Sequence, residues 1–234
     1  MTRTDSAPGT RLAGALLLIS LVALLAAVAI VVPSGLTLNP EDPAAALAAV
    51  SGKVGLHLGE LAFDVAGWSA MTAAGLLIAG SVPASRPHVA VLAGGLLACA
   101  GLAGVLHNAG NLAVTQLAGD PAAEGTVRAV LLTAKWGVNL AGLLWVAATV
   151  AAVAGLRMSR AMRRAGGLAV VCGLAAVVLP WTTGTEGLPG AVEQLGYALQ
   201  LPVMAWYGLL GFRYLRGREH PGNGEERVRR PGVH

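Results

Sequence analysis

The feature that most constrains this chain is an early run of 21 residues, 12–32, without a single charged side chain. A helix rises 1.5 Å per residue, so about 20 apolar residues suffice to cross the hydrocarbon core of a bilayer. The apolar core of a secretory signal peptide has only about 7–15 residues. We therefore predict that this run is an uncleaved first membrane-spanning helix, which ends at the Pro33, Ser34 and Gly35 triplet.

Further apolar runs of similar length follow along the whole chain. The six predicted spans are residues 12–32, 57–82, 89–111, 127–156, 165–183 and 194–215. Only 12% of the residues are charged and 55% are hydrophobic, whereas an average soluble domain has about 25% charged residues. This composition excludes a soluble enzyme and a nucleic-acid-binding domain, and it predicts an all-α polytopic membrane protein built as a bundle of six transmembrane helices.

Two segments lie outside the predicted spans. Residues 43–50 are apolar but too short to cross a bilayer, which predicts a short helix lying at the membrane interface. Residues 217–234 are rich in Arg, Glu and Gly and have no apolar periodicity, which predicts a disordered tail. The six-helix domain would then occupy residues 1–216.

The distribution of charge predicts the orientation. Basic residues are enriched in cytoplasmic loops of membrane proteins. With the N-terminus inside, the cytoplasmic segments carry thirteen basic and four acidic residues, a net charge of +9, whereas the rest of the chain carries three basic and eight acidic residues, a net charge of −5. We therefore predict that both termini are cytoplasmic, in the inner (plasma) membrane of a bacterium.

Ionisable residues inside spans are costly and are functional candidates by default, and here they all fall in the outer half of the predicted bundle. On the second span His57, Glu60, Asp64 and Trp68 recur at spacings of three, four and four, which places them on one helical face. The polar residues that we single out are His57, Glu60, Asp64, His107, Lys135, Asn139, Glu193 and Gln200.

Depth in the membrane suggests which of these charges meet. Asp64 and Lys135 each lie about two turns below the outer ends of their spans. Because an unpaired charge at that depth costs on the order of 3 kcal/mol or more, we expect Lys135 to pair with Asp64 or with Glu60. Such a pair could line a hydrated cavity that opens outward, or it could only hold the helices together. The shallower residues could instead reach the headgroup region.

Metal and haem binding are sharper alternatives. His57, Glu60, Asp64 and His107 together offer nitrogen and oxygen ligands, and the two histidines could hold a haem between neighbouring spans. However, the sequence has no HExxH motif, no paired histidine motif and no cysteine near these residues. We therefore predict neither a metal nor a cofactor.

The stretch RLAGALLLIS, the VPSG turn, the acidic loop NPEDPAAALAAV and the amphipathic second span together resemble uncharacterised bacterial multi-pass membrane proteins of a domain-of-unknown-function type. This resemblance covers residues 11–117 and implies a multi-pass fold, but no activity and no site residues. Membrane-embedded isoprenoid cyclases use buried carboxylates as acids, but they are much richer in aromatic residues than this chain, which has 4%.

The favoured function is a multi-pass membrane protein whose polar, outward-facing cavity handles a small solute, an ion or a proton. Glu60 and Asp64 would carry the exchangeable charge, with Lys135 as the counter-charge. One alternative is a membrane-embedded enzyme that uses the same residues on a lipid or isoprenoid substrate. Another is a non-catalytic subunit of a membrane complex. The expected partners are the bilayer and a small-molecule or ion ligand, not a nucleic acid, and the sequence does not determine the oligomeric state.

Overall fold

The structure, a computed structural model, describes residues 8–184 and 189–217 and is all-helical over the regular elements of these ranges. The seven described α-helices are α1 (Pro8–Ser34), α2 (Pro43–Ser51), α3 (Val54–Ser81), α4 (Pro87–Leu117), α5 (Glu124–Gly155), α6 (Arg160–Val178) and α7 (Gly190–Arg216). A 3₁₀ turn, Pro121–Ala123, precedes α5, and another, Leu179–Thr182, follows α6. Every helix except α2 is long and apolar enough to cross a membrane. The protein is therefore a multi-pass membrane protein with six spans, as predicted.

The spans end close to the predicted boundaries. The largest difference is in α4, which continues six residues beyond the predicted end at Asn111 and reaches Leu117. Residues 112–117 continue the helix because Val114 is fully buried against residues of α2 and α5. The short helix predicted over residues 43–50 is α2. The predicted disordered tail, residues 217–234, lies outside the described residues except for Gly217.

The six spans form a closed ring in chain order. Each span packs against its neighbours along the chain, and α7 returns to pack against α1. Large apolar side chains cover the outside of this ring; those more than 60% exposed are Val22, Leu76, Leu106, Leu168 and Val171. Aromatic side chains fill the inside, where the ring of Trp145 lies 5.7 Å from that of Trp68 and 6.0 Å from that of Tyr207. Lipid tails are as apolar as leucine side chains, so large aliphatic side chains can face outward in a membrane without a cost in free energy.

Glycines set the closest helix contacts. A Cβ added at Gly75 of α3 would lie 2.5 Å from the backbone nitrogen of Ala98, and one added at Gly14 of α1 would lie 2.6 Å from the carbonyl oxygen of Gly211. Because helices in lipid associate through close van der Waals packing, such positions hold the α3–α4 and α1–α7 pairs together.

The two ends of the bundle differ in charge. At one end, Thr10 donates to the carbonyl of Ser81, Ser85 donates to the carbonyl of Gly155, and the Trp206 indole donates to the carbonyl of Met162. We call this the arginine end; its described arginines are Arg11, Arg86, Arg157, Arg160, Arg163, Arg164, Arg213 and Arg216.

The opposite end, which we call the acidic end, carries all the described carboxylates. They are Glu41, Asp42, Glu60, Asp64, Asp120, Glu124 and Glu193. Asp42 caps the start of helix α2, and its carboxylate accepts from the backbone of Ala45. Helix α2 packs against α4 and α5 at the acidic end through Leu47 and Val50. This small cluster covers part of the acidic end beside the polar residues of α3 and α4.

Candidate functional site

The predicted polar stripe of α3 faces the inside of the bundle. His57 and Glu60 are buried, with only 1% and 7% of their surface exposed, and Trp68 is buried below them. The opposite face of α3 is exposed and apolar at Leu58, Ala62 and Ala66, so the polar stripe is turned away from the surface of the bundle. The stripe lies against α4, and together they form the His–carboxylate cluster, whose members are His57, Glu60, Asp64, Trp68, His107 and Asn108.

His57 and Glu60 form the outermost pair of this cluster. The Nδ1 atom of His57 lies 3.2 Å from the Oε2 atom of Glu60, one helical turn away. The other ring nitrogen, Nε2, lies 3.3 Å from the backbone carbonyl oxygen of Asn111. Neither Nδ1 nor Oε2 makes a hydrogen bond, although both atoms are buried. The imidazole and the carboxylate therefore face each other at close range, but no hydrogen bond joins them.

Asp64 is the centre of a hydrogen-bond network between α3 and α4. Its Oδ2 atom accepts from the amide of Asn108 at 2.8 Å and from the indole of Trp68 at 3.1 Å. The Nε2 atom of His107 lies 3.6 Å from the same oxygen. The Nδ1 atom of His107 contacts the backbone carbonyl oxygen of Gly104. Asp64 is thus held in place by two donors, with an imidazole beside it.

Gly104 allows this network to form. A Cβ at this position would overlap the indole of Trp68, so only glycine lets the Trp68 ring lie directly on the backbone of α4. In that position the ring reaches Asp64 with its N–H and meets the His107 ring edge-on at a centroid distance of 6.2 Å. The Asp64 site therefore depends on a residue that itself has no side chain.

The second polar group lies between α5, α6 and α7. Lys135 forms an ion pair with Glu193, whose Oε1 atom also accepts from the Tyr197 hydroxyl at 2.7 Å. The Lys135 ammonium lies 3.4 Å from the same hydroxyl. We call these residues, with Asn139 and Trp181, the Lys135 cluster. Glu193 is buried, whereas 26% of the Lys135 side chain is exposed.

Asn139 connects the Lys135 cluster to the end of α6. Its amide donates to the carbonyl of Val177 at 3.0 Å, and its carbonyl oxygen accepts from the Trp181 indole at 2.8 Å. Trp181 also packs edge-on against Trp136, with centroids 5.9 Å apart. The amide nitrogen and the amide oxygen of Asn139 thus both have a protein partner. Asn139 therefore holds the helices in position.

Gln200 lies about one turn after Tyr197 along α7, farther from the acidic end. Its Oε1 atom is buried without a hydrogen-bond partner, and the side chain fills the space beside Gly142 and Gly173, where a Cβ at Gly142 would lie 3.1 Å from Nε2. Gln200 is therefore the deepest of the predicted polar residues, and it carries an unused acceptor inside the bundle.

The two clusters adjoin across α5. A Cβ at Gly137 would lie 3.3 Å from the Cβ of His107, so His107 packs between Lys135 and Asn139 along the axis of α5. Polar residues from α3, α4, α5 and α7 thus surround one region at the acidic end.

One prediction about this region is wrong. Lys135 pairs with Glu193, not with Asp64 or Glu60, whose ion-pair partners among the described residues are His107 and His57. Lys135 and Asp64 lie at similar depths along their own helices, but the ammonium group of Lys135 contacts Glu193 and Tyr197 of α7. Depth along a helix does not specify which neighbour a side chain faces.

Three residues of the site were not among the eight candidates singled out from the sequence, although spacing had already placed Trp68 on the polar stripe of the second span. Asn108 and Trp68 bind Asp64, and Tyr197 binds Glu193. The helical spacing of Glu193 and Tyr197, and of Asp64 and Trp68, was a usable signal, because residues four apart lie on one face. Asn108 follows directly after His107, and nothing in its spacing distinguishes its role.

The hypothesis of a single metal site in this region has no support from the geometry. Within the described ranges, no three His, Cys, Asp or Glu side chains lie close enough together to hold a metal ion. The four ligands considered from the sequence are instead divided into two His–carboxylate pairs. No family model, no curated protein and no solved structure matches the chain.

Proposed function

We propose that the acidic end is a proton-binding site of a multi-pass membrane protein, with the two His–carboxylate pairs as the groups that take up and release the proton. The supporting observation is common to both pairs. In each pair one imidazole nitrogen faces a backbone carbonyl oxygen of α4, and the other faces a carboxylate.

This geometry assigns the tautomer of each neutral ring. A carbonyl oxygen can only accept, so the ring nitrogen that faces it carries the hydrogen. In neutral His107 the hydrogen is on Nδ1, and the bare Nε2 faces Asp64; in neutral His57 it is on Nε2, and the bare Nδ1 faces Glu60. In both cases two acceptors face each other until one further proton is bound between them.

Charge supports the same conclusion. Lys135 is already paired with Glu193, and the only positively ionisable groups within ion-pair distance of Asp64 and Glu60, among the described residues, are the two imidazoles. A pair with a neutral imidazole keeps one net negative charge in a region where charge is costly. One proton converts each pair into a neutral ion pair. The bound species that best fits is therefore a proton.

Access is expected from the outward side only. No carboxylate or imidazole lies in the arginine-end halves of the six described spans, apart from the exposed His88 at the start of α4. A proton relay across the membrane normally uses such groups. We therefore propose that the site exchanges protons with the outside, and that this exchange accompanies the binding of a small solute rather than a free proton current.

Nitrogen NMR of histidine-labelled full-length protein tests the proposal, because the chain has only five histidines. We expect both ring nitrogens of His107 to carry a hydrogen in the wild-type protein, and the Asp64→Asn variant to leave His107 neutral, with its hydrogen on Nδ1, under the same conditions. The Glu41→Gln variant, which removes an exposed carboxylate of the same end, should leave both histidine signals unchanged. A wild-type protein in which His107 and His57 each carry a hydrogen on only one ring nitrogen would contradict the proposal.

Proteoliposomes with an internal pH indicator test the access argument separately. We expect no sustained proton flux when a pH gradient and a counter-ion ionophore are applied. A flux that disappears in the Asp64→Asn variant would instead make the protein a proton conductor, and the one-sided model would be wrong.

A further inference from the structure

The two loops of the arginine end that join α3 to α4 and α5 to α6 are bound to each other. The backbone carbonyl oxygen of Gly155 accepts from the backbone nitrogens of Ser85 and Arg86, at 2.9 and 3.1 Å, and from the Ser85 hydroxyl at 3.0 Å. Ala84 and Leu156 add an antiparallel backbone bridge. Three hydrogen bonds on one oxygen hold these loops in a fixed relative position.

This connection gathers positive charge at one corner of the bundle. Arg86 is one of the bound residues, Arg157 is two residues after Gly155, and Arg160 begins α6. All three arginines are exposed. All the described carboxylates lie at the acidic end, so no described acidic side chain neutralises this corner. One guanidinium group can bind two phosphate oxygens through two parallel hydrogen bonds. Arginines that are held by a rigid backbone are therefore well suited to bind a phosphate group.

An apolar surface begins within about two helical turns of the arginines on the same two spans. Val91 of α4 follows Arg86 by five residues, about 7.5 Å along the helix axis, and Val150 of α5 precedes Arg157 by seven. These valines are 54% and 50% exposed, so they face outward on neighbouring spans. A molecule that binds here meets phosphate-binding groups at the membrane boundary and an apolar surface beneath them.

We infer that this corner, formed by Arg86, Arg157 and Arg160, binds the headgroup of an anionic phospholipid, with an acyl chain against the apolar surface of α4 and α5. The apolar surface favours a lipid over a free phosphate ion, which would gain nothing from it. Electrostatic attraction to an anionic leaflet changes the affinity for that leaflet about fivefold for each arginine near its surface. The inference does not depend on the proposed proton site.

Thermal unfolding of the full chain in nanodiscs tests this inference. We expect the wild type to unfold at a higher temperature when phosphatidylglycerol replaces about a third of the phosphatidylcholine. The Arg86→Gln, Arg157→Gln double variant should lose most of that increase. The matched control is Arg213→Gln, Arg216→Gln, which removes the same charge from the same end of the bundle but from α7, and it should keep the increase.

Three results would overturn the inference. One is an unchanged lipid-dependent increase in the Arg86 and Arg157 double variant. Another is an equal loss in both double variants, which would indicate a general effect of surface charge rather than a site. The third is an equal increase when soluble glycerol phosphate is added to phosphatidylcholine nanodiscs, which would assign the corner to free phosphate compounds instead.

Discussion

At the scale of single residues, the two histidines of the acidic end differ from ordinary buried histidines in what their second nitrogen faces. A buried imidazole is commonly satisfied by one donor and one acceptor. In this protein His57 and His107 each have an acceptor on both sides, a carbonyl oxygen and a carboxylate. Such an arrangement is fully hydrogen-bonded only when one further proton lies between the imidazole and the carboxylate, and this is the physical basis for proposing proton binding at the site.

Asp64 has a structural role besides its proposed chemical one, and the two can be separated. Replacement by Ala leaves the indole N–H of Trp68 and an amide hydrogen of Asn108 without their acceptor. An unpaired buried donor costs about 1–3 kcal/mol, so we expect Asp64→Ala to lower the unfolding free energy by about 2–4 kcal/mol. Asp64→Asn, which keeps one acceptor oxygen, should cost less.

Denaturant unfolding in mild detergent measures this difference. Leu58→Ala, on the exposed face of the same helix, serves as the control and should change stability little. Equal losses for Asp64→Ala and Asp64→Asn would show that the two donors find other partners.

The Lys135 ion pair makes a second prediction at this scale. Removing Glu193 leaves Lys135 with a charge near the membrane interior, and removing Lys135 leaves the buried Glu193 uncompensated. We expect each single variant, Lys135→Met and Glu193→Gln, to lower the unfolding free energy by about 3 kcal/mol. This is the low end of the range for a broken buried ion pair, because Lys135 is partly exposed.

A double-mutant cycle tests the coupling between Lys135 and Glu193. The double variant should lose less than the sum of the two single variants. The same cycle between Lys135→Met and Asp64→Asn should be nearly additive, because these residues have different partners. Strong coupling between Lys135 and Asp64 would restore the pairing that was expected from the sequence.

At the scale of the elements, the α3–α4 interface determines whether the site exists. Gly104→Ala places a methyl group in the position of the Trp68 ring, so the ring must move or the helices must separate. We expect a loss of about 1–3 kcal/mol from overpacking, together with a changed His107 signal in the nitrogen NMR spectrum, because Trp68 and His107 are in contact.

Gly95→Ala is the matched control on the same helix. No atom lies within 4 Å of a Cβ at Gly95, so this variant should leave both the stability and the His107 signal close to those of the wild type. If Gly104→Ala behaved like Gly95→Ala, the close approach of Trp68 to α4 would not be needed for the site.

At the scale of the whole molecule, the separation of the arginine end from the acidic end predicts how the protein is inserted. Cysteines introduced at Ala161 and Ala122, both exposed, report the two ends in a background where Cys99 and Cys172 are replaced by Ala. In intact cells an impermeant thiol reagent should label the cysteine at position 122 and not the one at position 161. Labelling of position 161 alone would reverse the orientation and place the proposed proton site inside the cell.

The number of spans, their approximate bounds and the segregation of charge were determined by the sequence itself. Each follows from a one-dimensional property: the length of an apolar run, the position of a proline or glycine, or the count of arginines in a loop. The face of α3 that carries His57, Glu60 and Asp64 also followed from spacing, because a helix has a fixed number of residues per turn.

Only the tertiary structure decided which of these faces meet. Spacing gives the depth and the direction of a side chain relative to its own helix, but the rotation of each helix against its neighbours depends on contacts such as that of Gly104 with Trp68 and that of Gly75 with Ala98. This is why Lys135 could be placed at the right depth and still be assigned the wrong partner. It is also why the carbonyls of Gly104 and Asn111, which have no sequence signal, are the groups that face the two histidines.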